Sequence, residues 1–395
     1  MNEILTERQN LFEPNVYVAV CAEVSGDASP EMLICAVNKA YEANEAAMSK
    51  IVLKDGLAYY EKLPETKCKT EICNKNWIDI LNQNQKDTFV IDKGELIRTF
   101  IIPLKDKIQI LIMAHHLAGD GKSIIFLLKD IMEALSGADI KYKPMTLITK
   151  KQLTEEKLSR AAKFFIKYCD KKWENFSFGW EDYYNMHSKY WNAYSSDIQY
   201  RTLTTEETEK ITDGAKQIGC SVNSYILTSI LQKTKRRCDT GVPVSIREKS
   251  NEAMTNLVSA VNIKYKYKQN RTFEENAKII HQKIADKLKY SKLFVLKFIS
   301  ELPPTLIDAV LLNTYNLYSD TLATKTAKIM GYQGEKKRDC GVSNLTVIDI
   351  PSSYGNLKLD SIIFVPPAVS YSNNSIGIST FNGQLTFSIH NIKTN

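Results

Sequence analysis

The sequence has no apolar run long enough to cross a membrane. None of its windows holds the eighteen or more uninterrupted apolar residues that a membrane helix needs. Its first ten residues, MNEILTERQN, carry acidic side chains where a signal peptide would carry a basic and then an apolar stretch. We therefore expect a cytoplasmic protein without a membrane span.

Patterns for disulfides, metals and bound cofactors are also missing. The eight cysteines are scattered along 395 residues, with no CxxC pair and no histidine cluster beside them. A disulfide framework or a zinc site is therefore not indicated. The sequence contains no glycine-rich phosphate loop, no HExxH motif and no RNA-binding signature. We expect no metal and no permanently bound cofactor.

The excess of positive charge is small. The chain has 52 basic and 45 acidic residues, which gives a net charge of +7. This balance does not single out nucleic acid as a partner. The basic cluster of Lys233, Lys235, Arg236 and Arg237 closes a predicted helix, where cations stabilise the negative end of the helix dipole.

What is present is the composition and patterning of a mixed α/β protein with two lobes. The chain is 44% hydrophobic and 25% charged, which is globular, and it is long enough for two domains. Alternation and helical spacing predict a strand over 16–24, a helix over 31–46, a hairpin over 51–62, strands over 96–103 and 107–114, and a helix over 122–135.

A second strand-and-helix half follows an aromatic-rich connector. We expect an N-terminal lobe over 1–150, a connector over 151–200 and a C-terminal lobe over 201–395. The connector's aromatic residues either pack it onto the lobes or line an acceptor pocket, and packing is the favoured interpretation. In the C-terminal lobe a capping box at Thr204 and Glu207 opens a helix, 273–300 is a long helical run, and 344–391 is rich in strands.

One motif carries chemistry. The segment AHHLAGDGKS places His115 and His116 side by side, followed by Asp120 and Gly121, in a chain with only five histidines. The histidines follow an apolar strand and Gly121 starts a helix, so the imidazoles lie on a strand-to-helix turn, where functional sites are common. A neutral imidazole is well matched to accept a proton from a reacting group near pH 7. The motif therefore offers a candidate general base.

The motif HHxxxDG resembles that of the acyltransferase superfamily of chloramphenicol acetyltransferase, plant acyltransferases and the condensation domains of peptide synthetases. Four other segments resemble that superfamily in the same order: EANEAAMSKIVLKDG, PVSIREKSNEAMTNLVSAV, VSNLTVIDI and IGISTFNGQLTFSIH. The resemblance implies two chloramphenicol-acetyltransferase-like lobes, with mixed sheets and packed helices, that form a pseudo-dimer around a central tunnel. The donor would enter from one face and the acceptor from the other.

The resemblance also implies roles for the residues of the motif. His116 would be the base in mid-tunnel, and His115 would be structural. Asp120 would hold the loop, and Gly121 would let the backbone turn tightly.

Residues outside the motif are implied too. Asp120 would point away from the tunnel and form a salt bridge with an arginine. Condensation domains supply this arginine from the early helix, where this sequence has Met48. Plant acyltransferases supply it just after the second-lobe strand, where this sequence has Arg247, so the resemblance implies an Asp120–Arg247 pair. Ser343 and Asn344 in GVSNLT are candidates to donate to the developing oxyanion, since the resemblance places that loop near the tunnel.

Three functions follow from these expectations. The leading one transfers an acyl group from coenzyme A to a hydroxyl or amine of a small-molecule acceptor. The alternative is a free-standing condensation enzyme whose donor is tethered by phosphopantetheine to a carrier protein supplied in trans. The third is a degenerate member that binds a partner without turnover. The length of 395 residues, shorter than typical condensation domains, favours coenzyme A, and the intact motif argues against a degenerate member.

Overall fold

The computed structural model describes residues 1–154, 157–173, 176, 178–233, 237–334, 339–372 and 374–395. Lys235 and Arg236 of the basic cluster lie outside these residues. Over the described ranges, no helix combines the length and the apolar character required to cross a membrane.

The first 150 residues form a strand-rich unit with three α-helices. Its elements are β1 (Asn2–Glu3), β2 (Tyr17–Ser25), α1 (Pro30–Ala43), β3 (Ser49–Lys54), β4 (Leu57–Lys62), β5 (Lys69–Ile72), α2 (Trp77–Lys86), β6 (Ile97–Pro103), β7 (Ile108–His115) and α3 (Gly121–Leu135).

The remainder of the chain supplies eight helices and eight strands among its described residues. They are α4 (Arg160–Lys172), α5 (Trp180–Ala193), β8 (Tyr194–Thr202), α6 (Thr205–Ile218), α7 (Val222–Gln232), β9 (Cys238–Ser245), β10 (Val258–Tyr265), α8 (Phe273–Ser291), α9 (Phe294–Glu301), α10 (Pro304–Thr314), α11 (Thr321–Met330), β11 (Cys340–Val347), β12 (Ser353–Tyr354), β13 (Leu357–Val365), β14 (Asn374–Phe381) and β15 (Gln384–Thr394).

Two six-stranded mixed sheets organise these elements. The first sheet has the order β12-β13-β2-β7-β6-β5, and the second has the order β10-β9-β11-β14-β15-β8. Strands β5 and β6 are parallel in the first sheet, and β11 is parallel to both β9 and β14 in the second. Strands β2 and β7 are central and almost wholly buried, as expected for strands that read as nearly continuous apolar runs. The predicted mixed α/β fold class is confirmed.

The two sheets do not follow the predicted division of the chain. Strand β13 lies in the range 201–395 but pairs antiparallel with β2, so it completes the first sheet. Strand β8 begins inside the connector range 151–200 and forms the edge of the second sheet next to β15. Both pairings join segments far apart in sequence, which local patterning does not reveal.

The connector contributes to the core. Its helices α4 and α5 are separated by a short aromatic-rich stretch, and α5 buries Tyr183, Tyr190 and Trp191 in the main hydrophobic cluster. None of these three side chains lines the central cavity. Packing, and not an acceptor pocket, accounts for them.

Candidate active site

A cavity of about 250 Å³ lies between the two sheets. Strands of both sheets contribute to its wall, including Val16 and Val18 from the first side and Pro243, Val258 and Ser343 from the second. His116 lies in this wall. His116, for which the resemblance implied a position in a tunnel, thus lines a cavity that both halves of the chain build.

The turn that carries His116 is defined by backbone hydrogen bonds. Strand β7 ends at His115, and the His116 N–H donates to Val16 O at 2.9 Å, beside the start of β2. Helix α3 then begins at Gly121 with Asp120 as its N-cap, and the capping box is closed by Ser123. A strand and a capped helix thus fix both ends of a short turn.

His115 is enclosed and serves the turn itself. Its ring is fully buried, packs edge-on against Tyr17 and Phe89, and accepts a hydrogen bond from the Leu117 N–H at Nδ1. Burial lowers the pKa of His115 well below its ordinary value. A neutral, packed ring fits the structural role that the resemblance implied.

His116 is partly exposed to the cavity, and its ring is held from the second lobe. The Nδ2 atom of Asn256 lies 3.2 Å from His116 Nδ1. Burial lowers the pKa of His116 below its ordinary value, while a hydrogen bond to its own backbone and the charge of Asp120 act in the opposite direction. The imidazole is therefore neutral at pH 7, which is the state a general base requires.

The predicted ion pair between Asp120 and Arg247 is present. Arg247 Nη2 lies 3.1 Å from Asp120 Oδ2, and both side chains are only 3% exposed. The same carboxylate oxygen accepts from the Leu257 N–H at 3.0 Å, while Oδ1 accepts from the Ser123 N–H at 2.9 Å. Asp120 thus caps α3 and clamps the turn to the loop between β9 and β10. None of these contacts of its carboxylate is with the His116 ring.

Ser123 and Thr255 extend this clamp, and sequence reasoning missed both. Ser123 Oγ donates to Thr255 O at 2.8 Å and accepts from Arg247 Nη2 at 2.8 Å. Thr255 O also accepts from Arg247 Nη2 at 2.7 Å. The only sequence signal for Ser123 is its place in the first turn of the helix that starts at Gly121, which is typical of a capping group.

Two glycines shape the turn in different ways. Gly119 has φ +150°, and a Cβ there would lie 2.5 Å from Ser123 Cβ, so the left-handed backbone and the close approach both require glycine. Gly121 has no such conformation. A Cβ on Gly121 would instead lie 2.8 Å from Leu345 Cδ2 and 2.9 Å from Phe364 Cε2. The tight turn expected at Gly121 is thus found at Gly119, and Gly121 lets both sheets approach the start of α3.

The two oxyanion candidates both line the cavity. Ser343 and Asn344 lie on β11, on the opposite side of the cavity from β2. Asn344 Oδ1 accepts a hydrogen bond from the Thr346 N–H at 2.7 Å, so the contact with Thr346 uses the amide oxygen and not the amide N–H groups. The structure brings these residues into the same cavity as His116.

Glu7 is a cavity-lining residue that the sequence analysis did not identify. It is 5% exposed and directly precedes the 3-10 helix Arg8–Leu11, which is anchored by a buried ion pair of 2.6 Å between Arg8 and Asp308. Burial raises the pKa of Glu7 to about 8, against the opposing effect of a hydrogen bond from Asn256. No sequence pattern marked this carboxyl, because it lies in the polar run TERQN.

The comparisons with known proteins agree on the fold. No family model and no curated protein matches the sequence. Among solved structures, the trichothecene 15-O-acetyltransferase from Fusarium sporotrichioides is 12% identical, with a TM-score of 0.64 over 98% of this chain and 90% of that one. The first condensation domain of the CDA synthetase is 11% identical, with a TM-score of 0.63 over 99% and 90%.

A third similar structure is the polyketide synthase associated protein 5 from Mycobacterium tuberculosis. It is 13% identical, with a TM-score of 0.62 over 99% of this chain and 93% of that one. All three likenesses span both sheets and the cavity between them. The chain therefore has the same two-lobed fold as these acetyltransferase and condensation-domain structures.

Proposed function

We propose that this chain is an acyltransferase that moves an acyl group from coenzyme A to a hydroxyl or amine acceptor, with His116 as the general base. The observation that carries the proposal is the place of His116: its ring lies in the wall of a cavity built by both sheets, and burial lowers its pKa. The superfamily fold supports the reaction class, because the similar structures include an acetyltransferase and condensation domains.

The proposed reaction needs only this base and two bound substrates. The acceptor O–H or N–H gives its proton to His116 Nε2 as the nucleophile attacks the thioester carbonyl. The tetrahedral intermediate then expels the thiolate, the C–S bond breaks, and the thiolate takes the proton from the imidazolium. A thiolate is a good leaving group and one cavity can hold both substrates, so no acyl-enzyme intermediate is required.

The oxyanion of that intermediate needs a hydrogen-bond donor. We assign this role to the Ser343 hydroxyl or to the Asn344 amide, because both residues line the cavity with His116. Asp120, with its carboxylate committed to Arg247 and to two backbone N–H groups, keeps a structural role.

A second candidate differs only in the donor. Condensation domains are among the similar structures, so a donor tethered by phosphopantetheine to a carrier protein remains the alternative. Both donors end in the same pantetheine arm, so in either case the proposed reaction places the same thioester beside His116. The cavity wall contains one lysine, Lys122, among its described residues, and we propose it as a partner for a donor phosphate.

Thiol release tests the proposal directly. A panel of acyl-coenzyme A donors is combined with small alcohols and amines, and the same acyl groups are loaded on a carrier protein in a parallel set. We expect acceptor-dependent thiol release with coenzyme A donors. Turnover of the carrier-loaded donors alone would establish the alternative, and no turnover with either set would favour a protein that binds without catalysis.

A further inference from the structure

Glu7 is buried with almost no hydrogen-bond donors around its carboxyl. The Tyr60 hydroxyl lies 3.4 Å from Glu7 Oε2 but donates its hydrogen to Leu117 O at 2.9 Å. A phenol has one hydrogen, so Tyr60 has none left for Glu7. Glu7 Oε1 has no partner among the described residues. The Asn256 amide is therefore the donor on which an ionised Glu7 would have to rely.

The same amide also contacts the candidate base. Asn256 Nδ2 lies 3.2 Å from His116 Nδ1, and Asn256 Oδ1 is buried without a partner. The amide nitrogen thus contacts His116 Nδ1, and the same N–H group is the donor that acts on the Glu7 carboxyl. Exchanging the nitrogen and oxygen of an asparagine amide preserves its shape, and the hydrogen-bond network decides between the two orientations.

Each orientation sets a different tautomer of His116. With nitrogen at the shared end, the Asn256 amide donates to Nδ1, so the ring carries its proton on Nε2 and has no free lone pair there. With oxygen at that end, the amide accepts from Nδ1–H, and Nε2 keeps the lone pair that a base requires. In the second orientation Asn256 Oδ1, which is otherwise unpartnered, accepts from His116 Nδ1–H, and the amide N–H groups take its former place.

We propose that Glu7 is a positioning residue for His116: as a neutral acid it donates to Asn256 Oδ1, which in turn accepts from His116 Nδ1–H. The inference rests on the proposed function of His116 as the base. An ionised Glu7 accepts only, so it turns the Asn256 nitrogen toward itself and toward His116 and selects the inactive tautomer. Protonation of one buried carboxyl thereby controls which ring nitrogen can take the acceptor's proton.

Of Glu7 and the ionisable groups around it, Glu7 is the one we expect to change its protonation state near pH 8. Tyr60 on β4 has a pKa raised well above its ordinary value by burial and by Glu7. Asp120, the N-cap of α3, is ion-paired with Arg247, and its charge favours the neutral form of Glu7. On Glu7's own segment, Arg8 is paired with Asp308. Since the pKa of Glu7 is raised to about 8, the neutral acid prevails at pH 7 and is lost above pH 8.

The substitution Glu7→Gln tests this switch, because glutamine is neutral at every pH and its amide N–H can donate to Asn256 Oδ1. The comparison variant is Glu7→Leu, which has similar size and no donor. The pH profile of kcat is measured with the first coenzyme A donor and acceptor pair that the wild type turns over. In parallel, nitrogen-15 NMR of histidine-labelled protein reports the His116 tautomer without any substrate.

We expect the wild-type kcat to fall above about pH 8 while Glu7→Gln keeps its activity there. Glu7→Leu should lower kcat at pH 7 by about 10- to 100-fold, by analogy with groups that orient metal-ligating histidines. The NMR spectrum should change from the Nδ1–H to the Nε2–H form across pH 8 in wild type and not in Glu7→Gln.

An identical alkaline loss in wild type and Glu7→Gln, or full activity in Glu7→Leu, would overturn the inference. The NMR arm separates this failure from failure of the proposed function. If the tautomer switches as expected but His116→Ala remains fully active, Glu7 controls the ring and the ring is not the base.

Discussion

The substitution Asp120→Ala measures how strongly the catalytic turn is clamped to the second lobe. It removes the N-cap of α3, which typically stabilises a protein by about 1 kcal/mol. It also leaves Arg247 buried without its counter-charge, which costs about 3–5 kcal/mol. Arg247 Nη1 and Nη2 keep backbone carbonyl partners, including Ala253 O at 2.7 Å. We therefore take the lower end of the range for the unpaired charge, about 3 kcal/mol, and add about 1 kcal/mol for the cap. The free energy of unfolding should fall by about 4 kcal/mol.

A second aspartate in the chain provides a matched control. Asp320 is the N-cap of α11, accepts from the Leu322 and Ala323 N–H groups, and pairs with Lys172 at 2.7 Å. That pair is 29% and 17% exposed, so it is solvated and contributes little. Asp320→Ala should therefore cost about 1–2 kcal/mol, mainly through the lost cap.

Urea unfolding followed by circular dichroism, at one pH and one salt concentration, gives both free energies. Asp120→Ala should be clearly less stable than Asp320→Ala, and it should lose activity under conditions where it is still folded, because the turn that carries His116 is released. Equal destabilisation by the two substitutions would refute the buried-pair reasoning. Unchanged kcat in folded Asp120→Ala would refute the clamp.

Three other residues that line the cavity give further predictions. Gly121→Ala should lower the free energy of unfolding by about 1–3 kcal/mol, because its Cβ would overlap Leu345 and Phe364, and a stable variant in urea unfolding would contradict that packing. The stability of the wild type relative to Glu7→Gln should be greatest below pH 4.5 and fall by about 4–5 kcal/mol up to pH 8, since the raised pKa of Glu7 means that the fold retains its proton; a pH-independent difference would argue against the buried acid. Salt that shortens the Debye length from about 10 Å to about 3 Å should raise the KM for an acyl-coenzyme A more than for the same acyl group on phosphate-free pantetheine, because we propose that Lys122 meets the donor's phosphates; equal effects would exclude that contact.

Local patterning predicted the elements whose signals lie within a few residues. The Asp55-Gly56 turn joins β3 and β4 with positive φ at both residues, and the capping box at Thr204 and Glu207 opens α6 as expected. The long helical run over 273–300 is interrupted between α8 and α9. Helices α10 and α11 were not predicted, and neither was the return of β13 to the first sheet, which depends on pairing with β2 more than 330 residues earlier.

The residues of the candidate site also differ in whether a local sequence signal marked them. His116, Asp120 and Arg247 were identified because a compact motif and a resemblance marked them. The structure pairs Asp120 with Arg247 and places His116 and Asp120 in the cavity wall. The tight turn was expected at Gly121, but the positive φ lies two residues earlier, at Gly119. Glu7 carried none, because its importance comes from burial beside a loop almost 250 residues away.

The most direct test of the account compares His116→Ala with His281→Ala. His281 lies on α8, where its Nδ1 contacts Ser224 Oγ at 3.3 Å, and it does not line the cavity. The measurement is kcat with the first coenzyme A donor and acceptor pair found for the wild type, with urea unfolding of each variant as the check on folding. We expect His116→Ala to lower kcat by about 10²- to 10⁴-fold while remaining folded, and His281→Ala to keep the wild-type kcat. A folded His116→Ala enzyme with the wild-type kcat would show that His116 is not the base.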